Sequence, residues 1–64
     1  MSDNSVPIRI IIADDHEISR IGIRRLLGGA SDIEVVAEAV NGAQTIDLTR
    51  SLKPDVILMD VFMP

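Results

Sequence analysis

The chain has 64 residues, which is near the lower size limit for a domain that folds alone. Its Lys and Arg residues number 6 against 10 Asp and Glu, so its net charge of −4 excludes a basic nucleic-acid-binding surface. It has no cysteine, which excludes disulfides and thiolate zinc sites. Its apolar runs are too short to cross a membrane, and residues 1–7 lack the basic start of a signal peptide. We therefore expect a cytoplasmic protein without a membrane segment.

The first element predicted along the chain is a strand at Ile8–Ala13, whose nearly continuous hydrophobicity is typical of a strand covered on both faces. An amphipathic helix is expected next, with Asp15 as its N-cap and its end at Gly28 and Gly29. Gly22 lies on its apolar face and predicts a close approach to a sheet. The other residues of that apolar face are Ile18, Ile21, Ile23, Leu26 and Leu27. The charged residues expected to face away from it are Glu17, Arg20, Arg24 and Arg25.

The second half of the chain predicts two more strands and one more helix. A strand at Ile33–Ala39 carries Glu34 and Glu38, which we expect on one face of an edge strand. A helix is predicted over residues 43–52. The run Val56–Met59 predicts a further buried strand. The order strand, helix, strand, helix, strand indicates one open α/β unit with parallel strands and right-handed crossovers.

Aspartates directly follow the first and the third predicted strands: Asp14 and Asp15 at one, Asp60 at the other. If these strands are neighbours in a parallel sheet, the three carboxylates meet at the crevice where such sheets bind ligands. Carboxylates so close would raise one another's pKa unless a divalent cation lay among them, and Mg²⁺ prefers oxygen ligands. We expect a Mg²⁺ site that accepts a phosphoryl group, with Asp60 as nucleophile because it ends a rigid, buried strand. His16 is expected to be a solvent-facing residue of the first helical turn.

Two other interpretations stay open at this point. The aspartates could be a helix cap, a first-turn acid and a strand end in a structural α/β unit that serves association. A Mg²⁺-dependent phosphohydrolase of the haloacid-dehalogenase type also uses an aspartate at the end of a strand. That class needs a second acid two residues after the nucleophile, where this chain has Phe62.

Three segments, residues 12–27, 36–42 and 53–64, together resemble the first half of a bacterial response-regulator receiver domain. The acidic pair followed by His16, and the pattern Arg-x-Gly-x-Arg-x-Leu-Leu that begins at Arg20, are most similar to the NarL/FixJ group. The resemblance implies a flavodoxin-like (CheY-like) doubly wound parallel sheet, present here as a β-α-β-α-β unit with strand order 2-1-3.

The same resemblance implies a role for each site residue. Asp60 would be the phosphoacceptor, Asp15 a principal Mg²⁺ ligand, Asp14 a second acidic residue acting partly through water, and the backbone carbonyl of Phe62 a further ligand. The phosphoryl group would come from a histidine kinase, so the domain would be a signalling module and not an enzyme. DNA would be bound only by a C-terminal domain outside these residues, through which a full-length regulator controls transcription.

The family's later elements do not occur in this sequence. These include a Thr or Ser after the fourth strand, a Lys after the fifth and a switch aromatic. We therefore expect residues 1–64 to be the N-terminal part of a receiver domain. Its third strand would then form an unprotected edge of the sheet, and we expect this chain to self-associate.

Overall fold

The structure is a computed structural model that describes residues 6–60. Within this range the strands are β1 (Ile8–Ala13), β2 (Ile33–Ala39) and β3 (Val56–Met59), and the helices are α1 (Glu17–Gly28) and α2 (Gly42–Leu52). The predicted ranges of the strands are confirmed, and α2 begins one residue earlier than predicted. Neither helix is long and apolar enough to cross a membrane.

The strands form a parallel sheet in the order β2-β1-β3, as predicted. β1 is the central strand, and Ile11, Ile12 and Ala13 have no solvent-accessible surface. The two crossovers run in opposite directions across the sheet, so the right-handed connection that is the rule for parallel strands puts the two helices on opposite faces. In residues 6–60 each helix contacts both β1 and β2, and the helices do not contact each other. The predicted doubly wound α/β architecture is thereby confirmed.

β3 is the most exposed strand of this sheet, so the prediction of a buried third strand is wrong. Val56, Leu58 and Met59 are 41%, 37% and 52% exposed. Neither of the helices in the described range contacts β3. Within residues 6–60, β1 is the only strand that pairs with β3. The hydrophobic pattern of a strand does not show whether another element covers it.

β2 contains a β-bulge at Val36, which the sequence pattern did not predict. Val36 has no partner in β1, because the residues on either side of it pair with consecutive residues of β1. Since side chains alternate between the faces of a strand, one extra residue reverses the face for all that follow. Glu34 and Glu38 therefore point to opposite faces, and the prediction that they share one is wrong. Glu38 lies on the face covered by α1, where it binds arginine side chains.

The face through which α1 packs on the sheet overlaps only in part with the one that its hydrophobic pattern predicts. Ile18 and Leu26 are 86% and 82% exposed, whereas the side chain of Arg20 is only 15% exposed. Gly22 does not approach the sheet, because a Cβ atom there would have no neighbour within 4 Å. The half-buried apolar residues of the helix are Ile21, Ile23 and Leu27. The ion pair between Arg20 and Glu38 turns the helix so that part of its charged face meets β2.

Candidate functional site

Backbone hydrogen bonds extend the sheet by one residue beyond β1 and β3, and this brings the aspartates together. The Asp14 N–H donates to the carbonyl of Ala39 at 3.0 Å, and the Asp60 N–H donates to the carbonyl of Ala13 at 2.9 Å. Asp14 and Asp60 therefore lie on neighbouring strands at the carboxyl edge of the sheet. Asp15 follows at the start of the connection to α1.

The three carboxylates form one group, which we call the acidic cluster (Asp14, Asp15 and Asp60). One carboxylate oxygen of each residue and a ring nitrogen of His16 all lie within 4.8 Å of one another. The carboxylates are accessible to different degrees: the side chains of Asp14, Asp60 and Asp15 are 12%, 21% and 32% exposed. The sequence prediction placed these three side chains together, and they lie together in the structure.

His16 also belongs to this site, which the sequence prediction missed. Its Nδ1 atom lies 2.9 Å from a carboxylate oxygen of Asp15, 3.2 Å from one of Asp14 and 3.8 Å from one of Asp60. The side chain is 67% exposed, so the expectation that it faces solvent is confirmed. A signal was present in the sequence, because His16 directly follows the acidic pair at the same turn. When protonated, it places a positive charge beside the carboxylates.

The N-terminus of α1 is built by Asp14, and the prediction that Asp15 caps the helix is wrong. His16 is the N-cap residue, and its side chain makes no capping hydrogen bond. A carboxylate oxygen of Asp14 accepts a hydrogen bond from the His16 N–H at 2.8 Å, which is the pattern of an Asx turn. This turn ties the Asp14 carboxylate to the start of the helix.

The titration of Asp14 and His16 follows from these contacts. The hydrogen bond from the His16 N–H is the largest cause that holds the pKa of Asp14 below its ordinary value. The pKa of His16 is raised, first by its hydrogen bond with the Asp14 carboxylate and then by the charge of Asp15. For Asp14, the expectation that neighbouring carboxylates raise the pKa is therefore wrong, because the backbone donor and the imidazole stabilise its ionised form.

The acidic cluster fits the requirements of Mg²⁺ in donor type and spacing. Mg²⁺ takes oxygen ligands at about 2.1 Å, so ligands of one ion lie about 3–4 Å from one another. The donor atoms of the cluster lie within 4.8 Å, so small side-chain movements bring them into this range. The predicted ligand at Phe62 lies outside the described residues.

An open cleft borders the acidic cluster. Its volume is about 370 Å³, and it is lined by Ala13, Asp14, Ile23, Leu58, Met59 and Asp60. The walls of this cleft combine two carboxylates with apolar side chains from β3 and α1. A ligand therefore has access to Asp14 and Asp60 from the face that carries α1.

Comparison with known sequences identifies similar proteins. Residues 10–64 match the response regulator receiver domain family. The chain is 49% identical to the nitrate/nitrite response regulator protein NarL of Escherichia coli K12 over 61 residues, which is 95% of this chain and 28% of that protein. It is 50% identical to the response regulator protein VraR of Staphylococcus aureus strain Mu3 over 56 residues, which is 88% of this chain and 27% of that protein. The chain thus spans less than a third of the length of these relatives.

Comparison with solved structures gives the same result. A two-component response regulator of the LuxR family from Aurantimonas sp. SI85-9A1 superposes with a TM-score of 0.85 at 40% identity, over 91% of this chain and 41% of that one. The response regulator domain of Thermotoga maritima CheB superposes with a TM-score of 0.87 at 34% identity, over 91% of this chain and 43% of that one.

Proposed function

The chain belongs to the response regulator receiver domain family and resembles NarL-type regulators, and we propose that Asp60 is its phosphoacceptor, with Mg²⁺ bound by Asp14, Asp15 and Asp60. The observation that carries the proposal is the convergence of three carboxylates from two neighbouring strand ends within 4.8 Å. Such a group favours the binding of a divalent cation, because the cation offsets the repulsion among the carboxylates. The carbonyl of Phe62 is proposed as a further ligand.

The contacts of Asp14 and Asp60 support different roles for them. One oxygen of Asp14 accepts the His16 N–H, which lowers the pKa of this carboxylate and makes it a weaker nucleophile than an unperturbed one. Asp60 lies farther from the imidazole, at 3.8 Å, and borders the open cleft. The hydrogen bond from its N–H to the carbonyl of Ala13 fixes its backbone beside β1. The burial of β3 that the sequence predicts does not contribute, because this strand is exposed.

The proposed reaction is the transfer of a phosphoryl group from a phosphohistidine of a histidine kinase. A carboxylate oxygen of Asp60 attacks phosphorus, the O–P bond forms as the P–N bond breaks, and the imidazole nitrogen leaves with the electron pair of that bond. Bound Mg²⁺ supplies positive charge near the phosphoryl oxygens. The product is an aspartyl phosphate, so the domain receives a signal instead of turning over a substrate.

We propose the remaining partners and the location from membership of the receiver domain family and from the exposed strand β3. The intact protein regulates transcription, and it contacts DNA through a separate C-terminal domain, in agreement with the net charge of −4 on this chain. Its location is the cytoplasm, where the ATP that supplies phosphoryl groups is available. A protein that consists of residues 1–64 alone self-associates through β3, whose apolar side chains are exposed.

The test is phosphorylation of the intact protein by a small phosphodonor with Mg²⁺. Asp60→Asn removes the nucleophile and nearly preserves the shape of the side chain, so we expect complete loss of base-labile phosphoryl label. Asp55→Asn is the matched control, because Asp55 precedes the same strand and accepts the Arg9 N–H through a side-chain oxygen that asparagine retains. It should be labelled like the parent. Equal labelling of Asp60→Asn and the parent would contradict the proposal.

A further inference from the structure

Arg20 of α1 connects the helix to the segment that carries two of the three aspartates. Its Nη1 donates to the backbone carbonyl of Asp14 at 2.7 Å, and its Nε donates to a carboxylate oxygen of Glu38 at 3.2 Å. The guanidinium thus holds two acceptors from different elements at once. Its side chain is only 15% exposed, so these contacts are largely shielded from competing water.

The position of this guanidinium depends on β2. The bulge at Val36 turns Glu38 toward α1, where the carboxylate is shared by two arginines. Arg24 donates to the second oxygen of Glu38 at 2.6 Å, but its side chain is 53% exposed. Within residues 6–60, no hydrogen bond from Arg24 to Asp14 or Asp15 is found. The two arginines therefore share one partner, and only Arg20 also contacts Asp14.

The contact with Asp14 fixes the peptide group that links Asp14 to Asp15. The Asp14 N–H is bonded to Ala39 of β2, and its carbonyl is bonded to Arg20. Both backbone groups of Asp14 are therefore held. Because the direction of the Asp15 side chain depends on this peptide plane, its orientation toward the other carboxylates depends on Arg20.

We infer that Arg20 is a positioning residue for cation binding: it holds the Asp14–Asp15 peptide so that both carboxylates converge with Asp60. This role rests on the proposed function. The charge of Arg20 acts in the opposite direction, because a nearby positive charge repels a divalent cation. Removal of Arg20 therefore tightens Mg²⁺ binding if the charge dominates and weakens it if positioning dominates. We expect positioning to dominate, as it does for residues that orient metal ligands elsewhere.

The experiment compares Mg²⁺ affinity of the intact protein with that of Arg20→Ala, Arg20→Lys and Arg24→Ala, measured from the backbone amide shifts of residues 14–16. We expect Arg20→Ala to weaken binding about tenfold. Arg24→Ala, the matched control, should change it by less than about twofold. Arg20→Lys keeps the charge but loses the fork that holds two acceptors, so we expect an intermediate weakening of about threefold. If Arg20→Ala does not fold, the lysine variant still tests the role.

A measurement on metal-free protein tests the positioning role of Arg20 separately from the proposed Mg²⁺ site. In metal-free Arg20→Ala, the amide of His16 should exchange with solvent faster than in the parent, because the turn that holds it is less ordered. Unchanged or tighter Mg²⁺ binding in Arg20→Ala, or unchanged binding in Arg20→Lys, would overturn the role of Arg20 and leave the proposed function intact. A parent protein that binds no Mg²⁺ would overturn the proposed function, and unchanged exchange at His16 would then overturn the positioning as well.

Discussion

β1 and β3 both end in an aspartate of the acidic cluster, but they support that aspartate in different ways. β1 lies between two strands with helices packed against it, and Ile11, Ile12 and Ala13 are fully buried. β3 pairs with β1 on one side, and its exposed fractions range from 37% to 52% at Val56, Leu58 and Met59. Asp14 therefore follows a buried strand, whereas Asp60 follows a largely exposed one. The two halves of the site differ in the packing of the strands that carry them.

The largest expected effect is on the free energy of unfolding, when paired side chains of β1 and β3 are truncated. Ile12 pairs with Leu58 across the ladder, so Ile12→Ala and Leu58→Ala compare paired neighbours. We expect Ile12→Ala to reduce the free energy of unfolding of this chain by about 2–5 kcal/mol, because it leaves a cavity in a closed core. Leu58→Ala should cost about 1 kcal/mol, because this side chain is already 37% exposed. Urea denaturation followed by far-UV circular dichroism measures both, and equal losses would contradict the difference in packing.

A smaller effect is expected on association through β3. Val56→Lys places a charge on the exposed strand, and charged edges resist pairing with other chains. We expect the self-association constant of residues 1–64 to fall about tenfold. Val6→Lys is the matched control, because Val6 is 82% exposed and lies outside the strands. Sedimentation across a range of concentrations measures the constants, and an equal fall in both variants would show that net charge, and not the edge, controls association.

The fold was largely predictable because its signals are local. The hydrophobic runs of β1 and β3 and the alternation with helices predicted the strands and their parallel direction, whereas the sheet order β2-β1-β3 was expected from the resemblance to receiver domains. The bulge was not predictable, because one extra residue at Val36 leaves the composition of β2 unchanged and shows only in its pairing. The inward position of Arg20 follows from that bulge through Glu38. The exposure of β3 depends on elements that pack against it, which the strand's own sequence does not specify.

The convergence of the three carboxylates was predictable from the sequence, but the position of His16 and the pKa shifts were not. Aspartates that follow two strands converge because parallel strands end at the same edge of a sheet. The position of His16 depends instead on the turn closed by the Asp14 carboxylate, and an aspartate side chain can accept from any of several nearby N–H groups. Because of this turn, His16 and not Asp15 is the N-cap residue of α1. The same contacts lower the pKa of Asp14 and raise that of His16.

The smallest effect is expected on the pKa of His16, the one histidine of the sequence. Asp14 at the end of β1 and Asp60 at the end of β3 should contribute to it unequally. The hydrogen bond with Asp14 is the largest cause that raises the pKa of His16, and the charge of Asp60 is the smallest. In metal-free protein, Asp14→Asn should therefore lower this pKa more than Asp60→Asn. Asparagine still accepts the His16 N–H through its side-chain oxygen, so the turn is preserved. The shift of the imidazole C–H resonances with pH measures the pKa directly.

The same inequality should appear in stability. Because the pKa of His16 is higher in the folded than in the unfolded protein, its protonation contributes stability that is complete below pH of about 6.5 and is lost as pH rises through the folded pKa. Above pH 6 the carboxylate of Asp14, whose pKa is lowered, stays ionised in both states and adds no slope. The free energy of unfolding should therefore fall from pH 6 to pH 8 in the parent, fall less in Asp14→Asn, and fall nearly as in the parent in Asp60→Asn. An equal pH dependence of the free energy of unfolding in the two variants would show that Asp14 and Asp60 affect the pKa of His16 equally. The difference between the two strand ends would then be one of packing only.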